Sequence, residues 1–145
     1  MLIILDASAI ISFLLSKKDS NIRDIIQLGH DKKITFIICE ETLSELKLKI
    51  SSNKIKRSKF YDERVTGKFI AWYKYNTKRI SLKNSKYVVK SRDSKDDAYL
   101  QLSKVSKADF LITFDEDLLT IRKIDETKIA TPVQFMNQYK KFLKQ

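Results

Sequence analysis

The sequence predicts an α/β sandwich around a parallel sheet of about five strands. Three observations predict it. Short apolar runs rich in β-branched residues recur along the chain, amphipathic helical segments separate them, and only 2 Gly and 1 Pro interrupt 145 residues. Strands that alternate with helices pair in parallel, each helix serving as the crossover between neighbouring strands.

Residues 2–5, Leu-Ile-Ile-Leu, form the short apolar run of a strand buried on both faces. Ser8 is placed to cap the helix that carries Ile10, Ile11, Phe13, Leu14 and Leu15. A second helix over residues 22–28 presents Ile22, Ile25 and Ile26 and is expected to stop at Gly29. Residues 34–38, with Thr35 and Phe36, are β-branched and aromatic and form the second strand. Leu43, Leu46 and Ile50 define the apolar face of a helix over residues 40–50.

Residues 51–79 read as helical and basic, with Phe69, Trp72 and Tyr73 packing inward. A weak third strand follows at 79–82, then a loop in which Tyr87, Val88 and Val89 are able to extend the sheet. A helix over 95–106 presents Ala98, Leu102 and Val105; residues 110–113 form a fourth strand, 116–121 a short helix and 128–130 a fifth strand. Pro132 belongs in the first turn of a last helix carrying Phe135, Tyr139 and Phe142. No repeat, low-complexity tract or linker divides the chain, so residues 1–145 read as one domain.

The formal net charge of +11 is unevenly placed: residues 47–95 hold 16 Lys or Arg against three acids, a net of +13, which leaves −2 for the remainder. A localised basic stretch beside an acid-bearing remainder is the electrostatic footprint of a phosphate-backbone binder, although a solubilising lysine surface has the same composition. One cysteine, Cys39, excludes an internal disulfide and agrees with a cytoplasmic protein. Residues 1–15 are apolar, but Asp6 in their middle and the lack of a basic start argue for a core strand and helix rather than a signal peptide. No apolar run approaches the roughly 18 residues that span a membrane.

Acids follow the strand-like segments: Asp6 after the first, Asp115 after the fourth with Asp117 two residues on, and Asp93, Asp96 and Asp97 ahead of a helix. In an open α/β sheet the carboxyl ends of the strands converge on one crevice. Carboxylates gathered there raise one another's pKa unless a cation neutralises them, and oxygen ligands suit Mg²⁺ or Mn²⁺. Ser94 and Asp97 nearly match a capping box, which gives Asp97 a structural task and leaves Asp96 to face the crevice. Asp93 reads as peripheral. One of Asp115 and Asp117 is expected to cap the short helix and the other to serve the metal. Glu45, mid-helix beside the apolar stripe, reads by spacing alone as a solvated glutamate.

His30 and Cys39 cannot build a zinc site between them. His30, after Gly29, reads as a surface histidine without a partner, and no glycine-rich phosphate loop exists. A receiver-type phospho-accepting domain also gathers acids at strand ends, but it needs an acidic pair near the first strand, where Asp6 stands alone.

The segments Leu5-Asp6-Ala7-Ser8, Glu41 to Leu46, Arg92 to Leu100, Ala108 to Leu119 and Ala130 to Phe135 together resemble the PIN domain family. They are most similar to its prokaryotic toxin-antitoxin branch, the VapC-like ribonucleases. The resemblance covers nearly the whole chain and rests on the order and spacing of its motifs. It implies a PIN-like three-layer sandwich and a metal-dependent endoribonuclease with catalytic Asp6, Glu45, Asp96 and Asp115. These four, with Asp117, would bind Mg²⁺ or Mn²⁺; Ser8, Asp93, Asp97 and Thr113 would support them. Ser8 stands where many members carry asparagine, and Ser94 where many carry proline. Lys47, Lys54, Arg57, Lys90, Arg92 and Lys95 are expected to hold the RNA backbone. An antitoxin partner and RNA as substrate are implied by the family alone; a homodimer is compatible with the chain. The alternative reading is a nucleic-acid-binding module of the same fold without catalysis.

Overall fold

The computed structural model describes residues 1–16, 20–83 and 96–145. In chain order the elements are β1 (Leu2–Leu5), α1 (Ala7–Leu15), α2 (Asn21–His30), β2 (Thr35–Ile38), α3 (Glu40–Ile50), α4 (Asn53–Lys56), α5 (Glu63–Asn76) and β3 (Lys78–Arg79). They continue with α6 (Asp97–Ser106), β4 (Phe110–Ile112), α7 (Glu116–Leu119), β5 (Lys123–Ile124), β6 (Thr127–Ala130) and α8 (Pro132–Leu143). The sheet runs β3-β2-β1-β4-β6-β5 and is parallel except for β5 against β6. This is the predicted α/β sandwich, with six strands among the described residues.

Alternation along the strands builds two cores. Ile3 and Leu5, Phe36 and Ile38, Phe110 and Ile112 point to one face, where they meet residues of α1, α2, α3, α5 and α8. Ile4, Ile37, Leu111 and Ile129 point to the other, against Leu100 and Leu102 of α6 and Leu118 of α7. A period of two within each strand therefore gives three layers. Strands β1 and β4, covered on both faces, are apolar throughout for that reason.

Several local expectations change. The chain reverses at Asp125, whose backbone is left-handed at φ 50°, and adds β5 antiparallel to β6. No Asn-Gly or Asp-Gly pair announces that hairpin. Gly29 does not stop α2, which runs to His30. Beyond the C-cap Asp31, Lys32 turns left-handed at φ 57° and brings the Lys33 N–H back onto the Leu28 carbonyl at 2.9 Å. Gly29 is needed for a different reason: the Phe36 ring lies where a Cβ would sit. His30 has a partner after all, stacking on Trp72 with ring centroids 3.9 Å apart. The basic segment divides into α4 and the longer α5, and α6 begins at Asp97. Pro132 opens α8 behind a Thr131–Gln134 capping box, as a first-turn proline should. The Tyr87-Val88-Val89 segment and Ser94 lie outside the described residues.

Candidate metal centre

Strand β1 delivers Asp6 to its carboxyl end at the centre of the sheet, where the Asp6 N–H bonds the Ile112 carbonyl of β4 at 2.9 Å. Asp6 occupies the N-cap position of α1, yet its side chain makes no capping bond. Ser8, expected as that cap, lies inside the helix. Its Oγ donates to Asp6 Oδ2 at 2.7 Å and accepts the Phe114 N–H at 3.1 Å. Thr113 works the same way: its hydroxyl donates to the same Oδ2 at 2.7 Å and accepts the Asp115 N–H at 2.8 Å. Asp6 is 2% exposed and Thr113 fully buried, so the carboxylate is held by two charge-assisted hydrogen bonds away from bulk water. The same two hydroxyls tie the start of α1 to the loop between β4 and α7.

That loop presents the next acids. Asp115 caps α7, its Oδ1 accepting the Asp117 N–H at 2.9 Å. Asp96, 3% exposed, sits at the N-cap position of α6 without making a side-chain cap. One carboxylate oxygen from each of Asp96, Asp115 and Asp117 lies within 4.8 Å of the other two. Both Asp115 and Asp117 thus face Asp96, and capping does not remove Asp115 from the group.

Glu45 comes from α3, which packs against α1 and α6. Its Oε1 pairs with Lys49 Nζ at 3.2 Å, while Oε2 is buried and accepts no short hydrogen bond among the described residues. Two neighbours feel its charge together with those of other acids. Burial pushes the Tyr99 phenol well above its usual range, and the charges of Asp6 and Glu45 add to the rise. Tyr99 Oη meanwhile accepts the Ala7 N–H at 3.2 Å, in the first turn after Asp6. Burial opposes the Lys49 ammonium, but the charges of Glu45, Asp6 and Asp96 outweigh it and hold its pKa above the ordinary value.

Asp96, Asp115 and Asp117 thus form the close carboxylate nest, while Asp6, fixed by Ser8 and Thr113, and Glu45 act electrostatically on the same neighbours. Asp97 follows in the first turn of α6, half-buried. Asp93, Lys90, Arg92 and Lys95 lie outside the described residues. Sequence reasoning missed Lys49 and Tyr99. Both had a visible signal: Lys49 is four residues after Glu45 on one helix face, and Tyr99 three after Asp96.

The donor set is wholly carboxylate, and it includes a buried oxygen on Glu45 that makes no short hydrogen bond among the described residues. Such an atom costs free energy unless a cation or donor meets it, so these residues fit a hard divalent metal ion. Beside the nest, Glu41, Glu45, Leu48, Lys49 and Ala98 line an open cleft of about 490 Å³. On the outer surface Lys47 stands against Lys74 of α5; that contact, with Arg79 adding to it, lowers the Lys74 pKa. Lys54 and Arg57 are exposed nearby along the chain.

Comparison with known proteins agrees with this geometry. The model of the PIN domain family matches residues 2–117, a span that contains all five acids. A chain of VapBC2 from Rickettsia felis, solved bound to a DNA fragment from their promoter, superposes with a TM-score of 0.57 at 14% identity, over 90% of this chain and 98% of that one. The PIN domain of human SMG5 superposes with a TM-score of 0.50 at 12% identity, over 96% and 99%. At these identities the likeness is one of fold. Among curated proteins no sequence relative matches significantly.

Proposed function

Because this chain belongs to the PIN domain family, we propose that it is a metal-dependent endoribonuclease, the toxin of a toxin-antitoxin pair, hydrolysing RNA phosphodiester bonds at the carboxylate nest. The observation that carries this reading is the cluster of Asp96, Asp115 and Asp117, brought together from the start of α6 and the β4–α7 junction, to which Asp6 and Glu45 are the further acids we assign. One oxygen from each of the three clustered aspartates lies within 4.8 Å of the other two. Structural ion pairs do not require so many like charges in one place.

Asp6, Glu45, Asp96, Asp115 and Asp117 would hold Mg²⁺ or Mn²⁺, which supplies Lewis-acid chemistry: a more acidic water and neutralisation of charge building on the phosphate. The chain's own part is preorganisation. Ser8 and Thr113 hold the Asp6 carboxylate in one orientation, so it need not turn when phosphate arrives. Tyr99, kept protonated, accepts the Ala7 N–H and so braces the start of α1 beside Asp6. Lys47, Lys54 and Arg57, joined by Lys74, would grip the RNA backbone, and Lys90, Arg92 and Lys95 belong to the same basic stretch. Such contacts supply affinity with little sequence information.

RNA rather than DNA rests on the family alone, an antitoxin that covers the site on the family and on the VapBC2 likeness, and a homodimer is compatible with the chain. Cytoplasmic location rests on the single, buried free cysteine. No helix among the described residues is long and apolar enough to cross a membrane.

The deciding experiment is a nuclease assay on single-stranded RNA with Mg²⁺ or Mn²⁺, comparing wild type with Asp6→Asn and Asp96→Asn. Each variant is expected to lose about 100-fold or more while remaining folded. Equal activity in all three proteins refutes the enzyme. It would leave a nucleic-acid-binding module whose acids cap helices, as Asp115 caps α7.

A further inference from the structure

We propose that Lys49 is the resident counter-ion of the carboxylate nest, a positioning residue that must release Glu45 before Glu45 can act as a metal ligand. The inference rests on the reading of the nest as a metal site. Glu45 precedes Lys49 by four residues on α3, the favourable order for a helical ion pair, and the ammonium lies 3.2 Å from Oε1. An ordinary surface pair would end there. This one differs in three respects.

First, the Glu45 side chain is 17% exposed and its second oxygen, Oε2, is buried without a short hydrogen bond among the described residues. Lys49 therefore compensates one side of an anion that is largely withdrawn from water and has the Tyr99 phenol as a second polar neighbour. Second, the ammonium responds to Asp6 and Asp96 as well as to Glu45, although these come from β1 and the start of α6. Third, the Lys49 side chain is 41% exposed at the edge of the cleft it shares with Leu48 and Ala98. A lysine carries a strongly hydrated point charge on a flexible stem, so it can leave for water at modest cost.

Without a metal, the positive charge of Lys49 offsets part of the repulsion among the carboxylates. A divalent cation among those same carboxylates repels the ammonium, so the two compete for one negative potential. Competition of this kind is reciprocal: whatever weakens one cation's hold strengthens the other's.

Calorimetric titration with Mn²⁺ at low ionic strength tests this on wild type, Lys49→Met, Lys49→Arg, Asp96→Asn and the surface control Lys140→Met. Lys49→Met is expected to tighten Mn²⁺ binding by about two- to fivefold, the scale of one partly exposed ion pair. Lys49→Arg and Lys140→Met should stay near wild type. In EDTA, Lys49→Met should melt below wild type, and the gap should close at saturating Mn²⁺. If Asp96→Asn weakens binding but Lys49→Met leaves it equal or weaker, the counter-ion role is refuted while the metal site stands. If wild type binds no Mn²⁺, or Asp96→Asn binds as wild type does, the metal site itself is refuted and the inference with it.

Discussion

Replacing Thr113 by valine isolates the contribution of one hydroxyl to the candidate site. The side chain is fully buried, donates to Asp6 Oδ2 at 2.7 Å and accepts the Asp115 N–H at 2.8 Å. Valine keeps the shape and deletes both bonds. Loss of a hydrogen bond to a charged group costs about 1.5–3 kcal/mol, and an orphaned N–H adds about 1 kcal/mol. Thr113→Ser keeps both bonds and removes one methyl, for about 1 kcal/mol. Thr113→Val is therefore expected to cost about 2.5–4 kcal/mol, which in a domain of this size lowers Tm by roughly 5–15 °C. Urea unfolding followed by circular dichroism in EDTA, with linear extrapolation, gives the comparison. The valine variant should also bind Mn²⁺ more weakly than the serine variant, because Asp6 is no longer held by both hydroxyls. A valine variant as stable as the serine variant refutes the reasoning, since the hydroxyl would then contribute nothing that its methyl does not.

Three further outcomes follow from other parts of the molecule. Lys47→Gln and Lys74→Gln, made in an Asp6→Asn background to prevent cleavage, should each weaken RNA binding and reduce the slope of log affinity against log salt by about one; affinity independent of salt excludes the basic surface. Gly67→Ala, with nothing near the added Cβ in the middle of α5, should stabilise by about 0.5–1 kcal/mol, whereas Gly29→Ala should destabilise by about 1–3 kcal/mol as its Cβ meets the Phe36 ring. Equal effects at the two glycines contradict the packing at Phe36. Burial raises the Cys39 thiol above its ordinary 9.0 and the Tyr73 phenol above its ordinary 10.0. The unfolded chain therefore releases these protons first, so stability present below about pH 9 declines as pH rises through the folded values. A urea midpoint that is unchanged between pH 8 and pH 10.5 contradicts that linkage, and Cys39→Ala should remove part of the decline.

What the sequence determined by itself was local. Apolar runs such as Ile3-Ile4-Leu5 and Phe110-Leu111-Ile112 mark doubly covered strands; the stripe of Leu43, Leu46 and Ile50 set the bounds of α3; Pro132 marked the start of α8. The positions of Asp6 and Asp115 at strand ends were legible too, because a carboxylate that closes an apolar strand interrupts its own pattern. Glu45 was legible only through the family resemblance: helical periodicity says which face is apolar but not which neighbour that face meets. The task of Ser8 was misread for the same reason. A serine two residues after a strand looks like a cap, and only a threonine 105 residues later makes it half of a clamp on Asp6. Gly29 looked like a stop signal until Phe36 was placed against it, and Lys49 and Tyr99 looked like ordinary surface and core residues. Hydrogen bonds, ion pairs and close approaches between distant segments are decided when the layers pack, since hydrophobic burial sets the layers without regard to which polar atoms then face one another. The gathering of Asp96, Asp115 and Asp117 is of that kind: each acid is written in the chain, and their meeting is a property of the packed sheet and helices alone.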